Sequence, residues 1–221
     1  MDEQLKEKLK EWAGTYNVKS FIPDDPVQFP HRFTGRRDIE ISAFITSWIS
    51  YGRRELILRK ADWLHSRMGG SPCEWILSGR YRELVSDVPA GKRDTFYRFY
   101  THSDLCALCD RLKEIYERYD SLEDALAASP YPNPVLRLQD LFSGINGIPV
   151  MGGTSACKRL AMFLRWMIRT DGIVDFGIWQ TVFHPRQLII PLDTHVHQIS
   201  LELGLTRQRA ATLKTALEIT E

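Results

Sequence analysis

Apolar residues in this chain recur at spacings of three and four along nearly its whole length. Nowhere do they alternate with period two for long enough to build a sheet. Leu105, Leu108, Cys109, Leu112, Ile115, Tyr116 and Tyr119 give the clearest stripe. A chain patterned this way buries one face per helix, so the expected fold class is all-α. Leu188-Ile189-Ile190 is the one strand-like fragment. Residues 2–13 read as a short amphipathic helix, followed by a connector carrying Pro23, Pro26 and Pro30. Ile39 to Met68 read as one long or two abutting helices, weakened at Tyr51-Gly52, and Gly69-Gly70-Ser71-Pro72 stops and restarts the pattern. Further helices are expected over 73–78, 81–88, 103–119 with Ser103 as N-cap, 122–128 and 135–142. A Gly-rich break at 144–153 precedes a helix capped by Ser155 and running to Arg169. After an irregular stretch, 171–191, come helices at 194–203 and 207–221, separated by Gly204, with Thr206 capping the second. The last one stops without a C-cap, which reads as a helix cut short.

With 221 residues, 43% of them apolar and 26% charged, the chain can bury one large or two small cores and is not disordered. No apolar run approaches the roughly 18 residues of a membrane span, and the opening MDEQLKEKLKEW lacks the apolar centre of a signal peptide. The expectation is a soluble, cytoplasmic protein with no membrane partner. Four cysteines are too few for a disulfide scaffold. Cys106 and Cys109 lie on a helical stripe with no second pair to complete a metal site, so they read as core and no metal is expected.

The formal net charge of +1 hides blocks: residues 31–67 and 148–169 carry +4 each, between neutral or acidic stretches. Arginine supplies most of it, notably Arg53, Arg54, Arg159, Arg165 and Arg169. A fold that brings the two blocks together makes a local positive face suited to phosphate, although solvated helix faces account for the charge equally well.

The segment Ile190-Pro-Leu-Asp193-Thr-His195-Val-His197 supports two physical readings. As a strand it would point Asp193, His195 and His197 to one face, a metal-ligand arrangement like that opening the amidohydrolase barrels. As a loop entering a helix, Asp193 or Thr194 becomes the N-cap, the two histidines lie about 200° apart, and Val196, Ile199 and Leu203 form the buried stripe, closed by Gly204.

In the second reading the segment resembles the catalytic-aspartate segment of the helix-hairpin-helix DNA glycosylase superfamily, of the endonuclease III type. Glu40 to Ser50 resembles an early helix of those enzymes, with Tyr51-Gly-Arg-Arg54 where they place a DNA-contacting turn. Gly152-Gly-Thr-Ser-Ala-Cys-Lys158 and the helix to Met167 take the place of the hairpin and its second helix. The wording Ser-Ala-Cys-Lys-Arg-Leu with Phe-Leu-Arg-Trp-Met also resembles a bacterial family of that build whose function is not established. The similarity covers about residues 38–221. The usual Leu-Pro-Gly-x-Gly-x-Lys hairpin is absent, as is the four-cysteine iron–sulfur motif, so no cofactor is expected.

The resemblance implies two interleaved helical lobes, 36–170 (barrel-like) and 1–35 plus 171–221, with a cleft between them. It implies DNA binding and base excision, with N-glycosylase and AP-lyase chemistry on double-stranded DNA. Asp193 would stabilise positive charge on the sugar, and Lys158, beside Arg159, would supply an amine nucleophile. Arg53, Arg54, Gly152, Gly153, Thr154, Ser155 and Arg159 would hold the DNA backbone, and Tyr51, Trp48 and Trp166 would stack on a flipped base. Two other functions stay open on the residues: a nucleic-acid-binding or interaction protein that keeps the fold without the chemistry, and a metal-dependent hydrolase using Asp193, His195 and His197.

Overall fold

The computed structural model describes residues 3–86 and 94–221. Among them eleven α-helices and several single-turn 3-10 helices form an all-α fold with no strand, only two isolated bridges. None of these helices is long and apolar enough to cross a membrane.

The centre of the molecule is α2 (Arg36–Ile49), where every residue from Ile39 to Ile49 is buried. A helix buried all round needs neighbours on every side. It has them in α3 (Arg54–Met68), α4 (Pro72–Leu77), α9 (Lys158–Ile168) and the 3-10 turns at 26–32. The break predicted at Tyr51-Gly52 separates α2 from α3, with Gly52 at φ +95°. α5 (Glu83–Ser86) occupies part of the predicted 81–88 piece, whose last two residues lie outside the described residues. α6 (His102–Tyr116) is capped not by Ser103 but by Thr101, in a capping box with Asp104. α7 (Leu122–Ala127) and α8 (Pro134–Leu141) follow the predicted spans closely.

Beyond α9 the chain is irregular to α10 (Thr194–Glu202), and α11 (Leu213–Thr220) closes the fold. The final helix begins six residues later than predicted: Thr212, not Thr206, is its cap. The buried stripe expected on α10 is also rotated. Ile199 is 52% exposed, whereas His197 and Ser200 are buried. The rotation follows from polar anchoring: the Gln208 carbonyl pairs with His197 Nε2 at 2.8 Å, and Ser200 Oγ donates to Val196 O. α1 (Glu3–Tyr16), amphipathic in pattern, buries no residue.

Two carboxyl groups tie distant elements together. Glu40 of α2, fully buried, accepts from Tyr116 Oη (2.7 Å), Leu122 N (2.9 Å) and Trp179 Nε1 (2.7 Å), and pairs with Arg36. Glu123 of α7, also fully buried, accepts from Arg36 and from the Thr181 and Val182 amides at 3.0 and 2.9 Å. The irregular 179–182 strip is thereby fastened to α2 and α7, giving its backbone donors the partners that a helix would otherwise provide. The hydrophobic core is continuous from Val27 through α2 and α9 to Trp179, Leu192 and Ala216.

Candidate functional site

The cleft forms where three chain breaks meet. Behind α2, Ser50, Tyr51 and Gly52 turn the chain into α3, and this turn is pinned from outside: Tyr97 Oη donates to Tyr51 O at 2.8 Å, and Tyr51 Oη donates to Tyr97 O at 3.2 Å. The second break precedes α9. The predicted Ser155 cap does not start that helix. Ser155 Oγ accepts from Cys157 N, and Cys157 enters the left-handed region at φ +53°, so the helix begins at Lys158. A β-carbon in that conformation costs about 1–2 kcal/mol, and the turn it makes brings the first residues of α9 to the cleft. The third break is Pro191 to Asp193, where Asp193 caps α10 by accepting from Val196 N at 2.9 Å.

Together Ser50, Tyr51, Ser155, Lys158, Asp193 and His195 line a cleft of about 360 Å³. Lys158 Nζ and Asp193 Oδ2 face each other across 3.3 Å, from the first residue of one helix and the cap of another. Their side chains are 36% and 34% exposed, so both remain open to a ligand. Partial burial works against the Asp193 carboxylate. The Val196 amide and the Lys158 ammonium outweigh it and hold the group below the usual aspartate range. The pair thus presents a fixed negative charge beside a primary amine, at a place where two helix N-termini contribute positive potential.

The other predicted site residues divide sharply. Arg53 and Arg54 stand exposed at the start of α3, next to Gly52 on the cleft wall. Tyr51 is half-buried and lines the cleft. Gly152, Gly153 and Thr154 lie in an exposed turn closed by Gly153 N to Val150 O, away from the cleft lining that Ser155 joins. Sixteen residues, 142–157, separate α8 from α9, so the segment in the hairpin's place is a long connection rather than a tight turn.

Three assignments require correction. Trp48 is 2% exposed, its ring stacked on Tyr100 at 3.9 Å and its Nε1 donating to Asn146 O, so no face is left for a base. Trp166 is buried in the core of α9. Arg159 reaches the cleft wall but turns its guanidinium inward, donating to Trp48 O, Tyr100 Oη and, at 2.7 Å, Gly147 O. Those acceptors hold the 147–157 connection against α2. Gly147, at φ +86°, lies so close to Tyr100 that a β-carbon would overlap the phenol oxygen. Arg159 is therefore a structural clamp.

The histidines do not form a metal set. Asp193 to His197 enters a helix instead of a strand, His195 is exposed at the cleft, and His197 is turned to the Gln208 carbonyl. Among the described residues no three His, Cys, Asp or Glu side chains cluster as metal ligands.

Sequence reasoning passed over the segment Phe96-Tyr-Arg-Phe-Tyr100, whose signal was plain in retrospect: four aromatics and one arginine in five residues. Three of its rings bury themselves against Trp48, Tyr51 and Trp63, while Phe99 projects from the turn, 79% exposed. Asp25 was also missed. Its burial pushes its pKa up, against the Val27 amide and the more distant Arg54, Arg165 and Lys158 charges.

The family described as "Protein of unknown function (DUF2400)" matches residues 25–221, and the chain belongs to that family. The match begins after α1 and includes every residue of the cleft. No curated protein and no solved structure matches the chain.

Proposed function

We propose that the protein acts on nucleic acid by base excision, as an N-glycosylase with lyase chemistry, on a fold of the helix-hairpin-helix glycosylase build and with double-stranded DNA as its partner. The observation that carries this reading is the Lys158–Asp193 pair, an amine and a carboxylate 3.3 Å apart in one open cleft. A protein that only bound nucleic acid would need its positive surface but not this pairing.

Breaking an N-glycosidic bond leaves positive charge on the sugar, and the Asp193 carboxylate, held ionised, lies where it stabilises that charge. The bond's electron pair leaves with the base, which takes up a proton given by the Lys158 ammonium. The freed lone pair of Nζ then bonds the anomeric carbon, and as the bond from that carbon to the ring oxygen breaks, a second Nζ proton passes to the released oxygen, leaving a protonated Schiff base. The exposed Arg53 and Arg54 beside the cleft suit backbone phosphates, and Tyr51 offers a ring on the wall.

The test is borohydride trapping on duplexes bearing oxoguanine, uracil or an abasic site. The expected result is a covalent adduct that Lys158→Ala abolishes, and base release that Asp193→Asn abolishes. No adduct and no base release, with salt-sensitive binding retained, would replace this reading with a binding module.

A further inference from the structure

A second concentration of positive charge lies outside the cleft, on the face made by α3 and the 96–100 turn. Several cations elsewhere hold carboxyl groups: Arg32 with Asp62, Arg36 with Glu40 and Glu123, Arg37 with Asp120, Arg82 with Asp110. Among the described residues Arg59, Lys60, Arg67 and Arg98 hold none. Lys60 Nζ instead stands 4.2 Å over the Trp63 ring and 4.7 Å over Phe96, and Arg67 lies 3.8 Å over the same Trp63 ring. Burial first, then the charges of Arg67 and Arg59, hold the Lys60 ammonium below the usual lysine range.

These side chains border a groove of about 420 Å³ lined by Arg59, Lys60, Trp63, Phe96, Tyr97 and Arg98. At its end the chain makes a tight turn, with Tyr100 N donating to Tyr97 O at 2.8 Å and Arg98 in the left-handed region at φ +53°. That backbone pushes Phe99 outward, and Tyr51 Oη accepts from the Phe99 amide at 3.3 Å. The Phe99 ring lies nearly parallel to Tyr51, at 11° with centroids 6.4 Å apart, and Tyr51 is a wall of the cleft. A ring held this far into water by a fixed turn contributes little to the fold. Tyr51 of the cleft wall, the exposed Phe99 ring and Arg98 of the groove are therefore direct neighbours.

We propose that this face binds a single-stranded segment of nucleic acid, its phosphates on Arg59, Lys60 and Arg98 and a base stacked on Phe99. The cations call for a polyanion, and the projecting ring needs a partner with an open π-face. An unpaired base has one, and a base inside a duplex does not. An acidic peptide would satisfy the charge but make no use of the ring. The choice of nucleic acid rests on the reading of the cleft; the site itself stands on its own charges.

Fluorescence anisotropy with a labelled oligo-dT of about fifteen nucleotides, an equal-length duplex and polyglutamate tests it, using the full chain. Arg59 and Phe99 are exposed, so Arg59→Glu and Phe99→Ala are expected to melt like the native protein. Each should weaken oligo-dT binding by roughly fivefold or more, and Arg59→Glu should lower the salt slope by about 0.7 for one lost single-strand phosphate contact. Unaltered oligo-dT binding in both face variants overturns the proposal. So does an equal loss of duplex binding, or polyglutamate binding with the same variant sensitivity. Loss of base release in Asp193→Asn with oligo-dT indifferent to the face variants would sink this inference alone. The converse pattern would sink the cleft reading alone.

Discussion

Two acid–base clusters in this molecule use the same chemistry in opposite ways. Around Glu40 and Glu123, two carboxyl groups with no exposure collect donors from α2, α6, α7 and the 179–182 strip, with Arg36 bridging them. At the cleft, Lys158 and Asp193 meet at 3.3 Å with a third of each side chain open. The first arrangement fills all four lone-pair sites of Glu40 and three of those of Glu123, and burial closes both carboxyl groups to an incoming group. The second gives each Asp193 oxygen one partner, Val196 N and Lys158 Nζ, and leaves the rest of both groups open to the cleft. Burial with saturation makes a strut, and partial exposure with under-saturation makes a site. Charge alone does not separate them; the exposure left to each carboxyl does, none at Glu40 and Glu123 against a third at Asp193.

Removing the strut should produce the largest effect. Glu40→Ala strands Tyr116 Oη, the Leu122 amide and Trp179 Nε1 in the core and leaves Arg36 with one partner fewer. Leaving several buried donors unpaired costs on the order of 4 kcal/mol. Urea unfolding should show that loss, and a change under about 1 kcal/mol would collapse the distinction between the clusters.

A second buried polar contact sharpens the contrast through pH. His65 Nδ1 donates to Ala61 O and its Nε2 accepts from Ser42 Oγ, both at 2.7 Å, so the folded protein holds the ring neutral. Burial, with a smaller push from Arg32, lowers its pKa to about 4, against the Ala61 carbonyl and Asp62. The unfolded chain takes up the proton near the ordinary value of 6.5 and the folded chain does not. Stability therefore falls as pH drops below 6.5, by about 2 kcal/mol at pH 5 from this group. Unfolding midpoints at pH 7 and pH 5, with His65→Gln flattening the difference, check it. Asp193 carries the same sign in a lower window: its depressed pKa contributes stability that is present above the unfolded value of 3.8 and lost as pH falls from there through the folded one. Between pH 7 and 5 its contribution should stay constant.

Much of the fold was legible because helix patterning is local. The stripe Leu105, Leu108, Cys109, Leu112 placed α6, and Tyr51-Gly52 placed the break between α2 and α3. Asp193 was legible as a cap for the same reason. What escaped was set by contacts distant in sequence. The turn of α10 that exposes Ile199 follows from His197 and the Gln208 carbonyl, not from its own apolar pattern. Arg159 looked like a phosphate ligand because two of its three acceptors, Trp48 O and Gly147 O, are backbone atoms, invisible to any reading of side-chain types. Trp48 was misread because its partner Tyr100 lies 52 positions on. The juxtaposition of Lys158 and Asp193 itself was reached through resemblance. Two helix starts that far apart carry no local signal that they meet.

The smallest effects on stability fall at the cleft, where the comparison is put to its strictest test. Asp193→Ala removes an N-cap and should cost about 1 kcal/mol, whereas Asp193→Asn keeps an oxygen for the Val196 amide and should cost only a few tenths. Lys158→Ala breaks a partly exposed ion pair, worth about 0.5 kcal/mol or less. If the pair is a site, Asp193→Asn abolishes base release while melting within about a degree or two of the native protein, and Lys158→Ala abolishes trapping in the same way. If it is a strut, stability and activity fall together, and Asn restores both, because a capping oxygen is all a strut needs. Thermal melts and single-turnover assays on the same three variants separate the outcomes, since charge at Asp193 matters to the chemistry and only its oxygen matters to the helix.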